Sequence, residues 1–179
     1  MQDPHALTGS HVPFARRWHL IDEIDLIGFV ADHSAIERLC VRLEACADQL
    51  PERPTPAVVD DLGAALQTQV LDHFNREDRL LVAMLALELR DPLCRALLDV
   101  THSRHVACAV LAQDLIAALK AGSAGQRTIC AEALGYMLRC FFDACRAAMA
   151  FEELAILTLA STRLTGEARM LLTERLATA

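Results

Sequence analysis

The sequence is short of what a sheet protein needs. It has seven glycines and six prolines in 179 residues, where ordinary usage would draw about 12% of the chain from these two types. With so few turn formers, an architecture of many short strands is excluded. Basic charge is also lacking: Lys plus Arg is 17 against 24 Asp plus Glu, a net charge of −7. Neutralising phosphates takes clustered Lys and Arg, so no nucleic-acid partner is expected. No stretch approaches the ~20 uncharged apolar residues of a membrane span, and Met1 to His19 contains no apolar signal-peptide core. The seven cysteines are odd in number and none stands in C-x-x-C spacing, which argues against a zinc ribbon and a thioredoxin-type motif. Most sit in apolar helical patterns, where a free Cys is a small hydrophobe. The expectation is a reduced, cytoplasmic protein with no membrane partner; association into a homodimer stays open.

What the chain has is helix-forming residues. Hydrophobic residues make up 54%, and Ala and Leu, both strong helix formers, supply roughly a third of the chain. Four long helical segments are expected, from about Asp25 to Leu50, Pro56 to Leu89, Pro92 to Lys120, and from the Ser123/Gln126 capping-box spacing to about Ser161. Thr55-Pro56 and Asp91-Pro92 are start signals. Thr165-Gly166-Glu167 opens a short last helix to about Ala177. Residues 1–20 read as an irregular arm and 21–179 as one domain. Long helices with short connections pack as an antiparallel, up-down-up-down four-helix bundle, so the fold class expected is all-α.

Each helix carries an apolar stripe at three- to four-residue spacing, and each stripe is broken by His or Glu. The first runs through Phe29, His33, Ile36 and Cys40; the second through Val70, His73, Glu77 and Leu81; the third through Leu98, His102, His105 and Ala112; the fourth through Cys145, Ala148, Glu152 and Ala155. An ionised carboxylate buried without a partner costs several kcal/mol even after relaxation. Interruptions on four helices that can share one level suggest a common partner. Imidazoles and carboxylates converging in a bundle core make a transition-metal site. His73 and Glu77 are i,i+4 and share a face. Helix four echoes helix two at an offset of 75, with Ala148 and Glu152 in the places of His73 and Glu77. The alternative reading of the same residues is a polar core layer in which Glu77 and Glu152 pair with His33, His73 and His105.

At these residues the sequence resembles the hemerythrin-like (HHE) cation-binding family. The resemblance rests on Asp32-His33 in helix one, on His73-Phe74-Asn75-Arg76-Glu77 followed by Leu80-Leu81 in helix two, and on His105 in helix three. It covers roughly Asp22 to Arg163. It implies non-haem iron, as a di-iron centre with acids bridging and histidines terminal, that takes dioxygen, nitric oxide or peroxide. The ligands implied are His33, His73, Glu77, His105 and Glu152. The departures are Ala148, where the family has a helix-four His, and Ala109, where helix three often has a second one. His102, one turn before His105, is the spare imidazole. The His33/His73 half looks complete and the His105 half short of ligands, which leaves open one iron, two unequal irons or a decayed site. Asp78 and Glu153 read as solvated neighbours, although the family's His-x-x-x-x-Asp variant keeps Glu153 in view.

Two other functions compete. A ferritin-like oxidase needs Glu-x-x-His on two helices, and no Glu here has His three residues later, so the sequence favours binding over enzymatic turnover. A metal-free interaction or regulatory module would keep the bundle and lose the chemistry.

Overall fold

The computed structural model describes residues 20–123 and 129–178. The arm expected at 1–20 lies outside these residues except for Leu20, and so does Gln126 of the expected capping box. The described residues are helical throughout except for short connections and one isolated bridge. The helices are α1 (Glu23–Asp48), α2 (Pro56–Ala65), a π-helical segment (Leu66–Leu71), α3 (Asp72–Met84), α4 (Pro92–Ser123), α5 (Ala131–Leu159) and α6 (Gly166–Thr178).

α1 begins two residues before the sequence suggests. Asp22 accepts from the backbone N–H of Asp25 (3.0 Å), and the Asp25 side chain accepts from the N–H of Asp22 (3.3 Å). This is a reciprocal capping box with Asp in the position usually held by Glu. α2 starts at Pro56, whose fixed φ suits the first helical position, although the Thr55 side chain makes no capping bond. α4 runs through Ser123 and α5 starts only at Ala131, later than the Ser123/Gln126 spacing implied.

The second long segment differs from a regular helix in two ways. Its middle turn is π-helical. The buried positions Leu62, Leu66 and Val70 advance by fours, and two such steps in an α-helix overshoot the face by about 80°. The wider π turn absorbs that drift, so His73 and Glu77 still face the core. Its end also comes early, at Met84 instead of Leu89. The Arg163 guanidinium donates to the Met84 carbonyl (2.9 Å) and to both carboxylate oxygens of Glu88 (2.7 Å each). A cation on the final carbonyls is favourable there.

α5 packs along α1 and α4, and α6 folds back on α1 and α5. Backbone bonds from Ile21 N–H to Arg163 (2.8 Å) and from Thr165 N–H to Ile21 (3.0 Å) tie the start of α1 to the start of α6. The core consists of two apolar clusters. One contains Ile36 in α1, Phe74 in α3, Cys108 in α4 and Met149 in α5. The other contains Phe29, Leu81, Cys94 and Ile156 from the same helices. In every helix the residues between these markers include the buried His or Glu: His33, Glu77, His105 and Glu152. Burying a Leu, Ile or Phe side chain contributes about 1.5–3 kcal/mol, so the two clusters carry the stability that tolerates a polar layer between them.

Candidate metal centre

Three imidazoles and two carboxylates meet in that layer. His33 of α1 sits beneath Phe29, ring centroids 4.1 Å apart, and lies edge-on to His73 at 5.6 Å. His105 of α4 is stacked on Phe74 at 4.4 Å. His33, His73, Glu77, His105 and Glu152 are all at most 2% exposed. Their inner atoms converge. His33 Nε2 is 3.1 Å from Glu77 Oε1 and 3.2 Å from Glu152 Oε2. His73 Nε2 is 2.7 Å from Glu77 Oε2, and His105 Nε2 is 2.7 Å from Glu152 Oε1 and 3.6 Å from Glu77 Oε2.

The outer ring nitrogens follow one rule. His33 Nδ1 donates to Glu153 Oε1 (2.8 Å), His73 Nδ1 to Asp32 Oδ2 (3.1 Å), and His105 Nδ1 to Asp78 Oδ1 (2.7 Å). An ionised carboxylate only accepts, so each contact fixes a proton on Nδ1. It leaves Nε2 as the inward atom of each ring. This is how carboxylates orient metal-ligating histidines and raise their basicity.

Buried polar atoms normally have hydrogen-bond partners. His73 Nε2, Glu77 Oε2 and Glu152 Oε2 are fully buried and make no well-aligned hydrogen bond; they face only one another's charged groups, His73 Nε2 against Glu77 Oε2 at 2.7 Å and His33 Nε2 against Glu152 Oε2 at 3.2 Å. They belong to two sets whose donor atoms lie within 4.8 Å of each other, His33/His73/Glu77 and Glu77/His105/Glu152, with Glu77 common to both. A nitrogen–oxygen donor set of this kind suits a divalent first-row transition metal, and the residues present fit such an ion. A scan against family models matches the hemerythrin HHE cation binding domain over residues 28–160. The chain belongs to that family. Neither the curated proteins nor the solved structures searched gave a match.

Within this hemerythrin-type bundle, the structure brings together five of the six residues singled out from sequence. His102 stays outside. Its side chain is 65% exposed and its Nδ1 donates to Asp78 Oδ2 (2.7 Å). Three residues of helix turn about 300°, so His102 is rotated about 60° from His105 and points past the site. Glu153 corrects the opposite way. It is 1% exposed, not solvated, and accepts from both His33 and Arg175 of α6. Asp78 is partly buried, not free in solvent, and joins His105 to His102. Ala148 is completely buried in the apolar cluster, whereas Ala109 borders a cavity of about 330 Å³ shared with Phe74, Asp78, His102 and His105. Cys145 shares hydrogen bonds with Cys108 and Cys40, which with burial hold its thiol well above the ordinary range.

Charge in the layer is balanced by protons when no metal supplies it. Burial alone would push His33 down, but the carboxylates of Glu152, Glu153 and Glu77 outweigh it and raise His33 well above the usual imidazole value. Burial likewise opposes the charged form of His105, yet Glu152, Glu77 and Asp78 raise it to about 9. Burial would raise Glu77, but His33 and His73 hold it far below the carboxylate range. A raised imidazole stabilises the fold fully below its unfolded value of about 6.5, and that stabilisation is lost as pH climbs through the folded value. Metal-free protein is therefore expected to lose thermal stability between pH 6.5 and 9. Metal-loaded protein should not, because ligation needs the Nε2 protons removed. Unfolding midpoints of both forms at pH 6, 7.5 and 9 check this, and a flat metal-free profile would reject the protonated network.

Proposed function

We propose that this chain is a non-haem iron protein that binds a small oxidant, dioxygen, nitric oxide or peroxide, in an antiparallel up-down-up-down four-helix bundle. The observation that carries the proposal is the convergence of buried donor atoms that make no well-aligned hydrogen bond, His73 Nε2, Glu77 Oε2 and Glu152 Oε2, within the two donor sets that share Glu77. The bundle topology is supported by the order of markers along the helices, from one apolar cluster to the other in α1 and α4 and back again in α3 and α5.

His33, His73 and Glu77 would hold one iron, and Glu77, His105 and Glu152 a second, Glu77 belonging to both sets. When bound, ferrous iron supplies a redox-active Lewis acid with open positions for a small ligand. The chain's own contribution is orientation and exclusion. Asp32, Asp78 and Glu153 hold the imidazoles with Nε2 inward, while Phe29 and Phe74 cover His33 and His105 from water. The cavity bordered by Ala109 gives a small molecule an approach to the His105 side, the side with fewer ligands. No helix among the described residues is long and apolar enough to cross a membrane. Seven free cysteines, five of them buried, agree with a reduced cytoplasmic setting.

Ferrous ion titrated anaerobically into metal-free protein, with absorption spectra before and after dioxygen or nitric oxide, tests the reading. The expected result is one tight and one weaker iron per chain, with a new visible band on exposure. No uptake would overturn it. The metal-free module would then be favoured, with Ala109 and Ala148 as the lost ligand positions.

A further inference from the structure

α6 follows the residues that match the family, and it reaches the centre through one side chain. Arg175 Nε donates to Glu153 Oε1 (2.7 Å), the same oxygen that accepts from His33 Nδ1 (2.8 Å). Arg175 Nη1 donates to Ser34 Oγ (3.0 Å), the residue next to His33, and Ser34 Oγ donates to the Val30 carbonyl (2.8 Å). The other guanidinium at the neighbouring cavity of about 210 Å³, Arg146, is engaged by Glu37 and Glu44 of α1. Glu153 is therefore compensated from α6 on its outer side and from His33 on its inner side. A carboxylate buried to this degree needs both. The analogous acids behind His73 and His105 differ. Asp32 is only partly buried, beside Arg76, and so is Asp78, beside His102.

We infer that Arg175 is a positioning residue, and that α6 is a latch which sets the orientation of His33, and with it the affinity of the His33/His73/Glu77 group, by holding Glu153 against the His33 ring. The inference rests on the metal-binding reading for its consequence but not for its geometry. Displacing α6 leaves Glu153 as a buried acid with one partner. It then turns outward to water, and His33 loses the acceptor that holds its Nδ1–H and the orientation of its ring.

The test uses the 179-residue chain with Arg175→Gln, Arg175→Lys, Glu153→Gln and the Arg175→Gln/Glu153→Gln pair, each kept well below its unfolding midpoint. Two quantities are read. The first is the His33 Nδ1–H proton resonance and its exchange rate in metal-free protein labelled with ¹⁵N-histidine. The second is the affinity for ferrous ion under anaerobic conditions. Arg175→Gln is expected to shift or broaden the resonance and to weaken the tighter ferrous site by about tenfold, the lower end of what losing a ligand's orienting partner costs. Arg175→Lys should restore most of both. The double variant should match Glu153→Gln alone, because Arg175 acts through Glu153. An unchanged resonance in Arg175→Gln, or losses that add in the double variant, would overturn the latch. If the wild type takes up no ferrous ion, the metal reading fails, and the resonance alone decides whether Arg175 positions His33.

Discussion

Glu77→Ala is expected to empty both halves of the centre at once. Among the described residues Glu77 is the one member common to the two donor sets, and its two oxygens face His33 and His73 on one side and His105 on the other. Anaerobic ferrous titration should show affinity reduced by more than about a hundredfold at both sites, beyond the range set by losing an orienting partner. The metal-free protein should suffer too. Removing one partner of a buried ion pair costs about 3–5 kcal/mol, and in a chain of this length that lowers the unfolding midpoint by something on the order of 10 °C. Glu77→Gln separates the two effects. Its amide keeps the shape and can donate to a neutral Nε2, so metal-free stability should fall less, while the bridging charge is lost and metal uptake fails as in the alanine variant. Equal metal content in wild type and Glu77→Ala would reject the ligand role.

The second large effect concerns the alanines on the His105 side, where the two vacant ligand positions should respond in opposite ways. Ala109 borders the cavity of about 330 Å³ next to His105 and is only partly buried. It lies one turn beyond His105, on the same face. Ala109→His has room for an imidazole and should tighten the weaker ferrous site by about tenfold or more, the effect of a single well-placed donor worth about 1.4 kcal/mol. Ala148 is completely buried among apolar side chains. Ala148→His overfills that cluster, at a typical cost of 1–3 kcal/mol, and any gain in metal affinity should come with a lower unfolding midpoint. Titration and thermal unfolding of the two variants side by side decide the matter. Tighter binding in Ala148→His with no loss of stability would mean that the cluster yields where the structure shows it packed.

Much of this was readable in the chain because helical phase is a strong signal. The stripes through His33, His73, Glu77, His105 and Glu152 step by threes and fours, and a buried ionisable residue on such a stripe stands out against its apolar neighbours. Prolines at 56 and 92 and Gly166 marked helix starts to within a residue. What was not readable depended on distant contacts or accumulated rotation. The early end of α3 is set by Arg163, 79 residues after Met84, and nothing near Leu85 announces it. The π turn leaves only a trace, the successive steps of four at Leu62, Leu66 and Val70. Glu152 and Glu153 differ by about 100° around α5. One helix wheel cannot bury both, and only the return of α6 with Arg175 does so. The spare imidazole at His102 failed for the complementary reason: proximity in sequence to His105 gave it a place near the site but on the wrong bearing.

The polar layer between the two apolar clusters also bears on how the molecule comes apart. Contacts of apolar side chains do not run unbroken from one cluster to the other in any of the four site-bearing helices. In the metal-free chain the halves are joined across the layer by pairs that depend on protonation, and stability in proteins is distributed among such cooperative units. The half containing Ile21, Leu26, Leu81, Cys94, Ile156 and Leu172 draws on five helices, α1, α3, α4, α5 and α6. Ions held between α1 and α3 and among α3, α4 and α5 would cross-link both units and merge them into a single cooperative block. Metal status would thus be written into the bundle as one cooperative unfolding step or two.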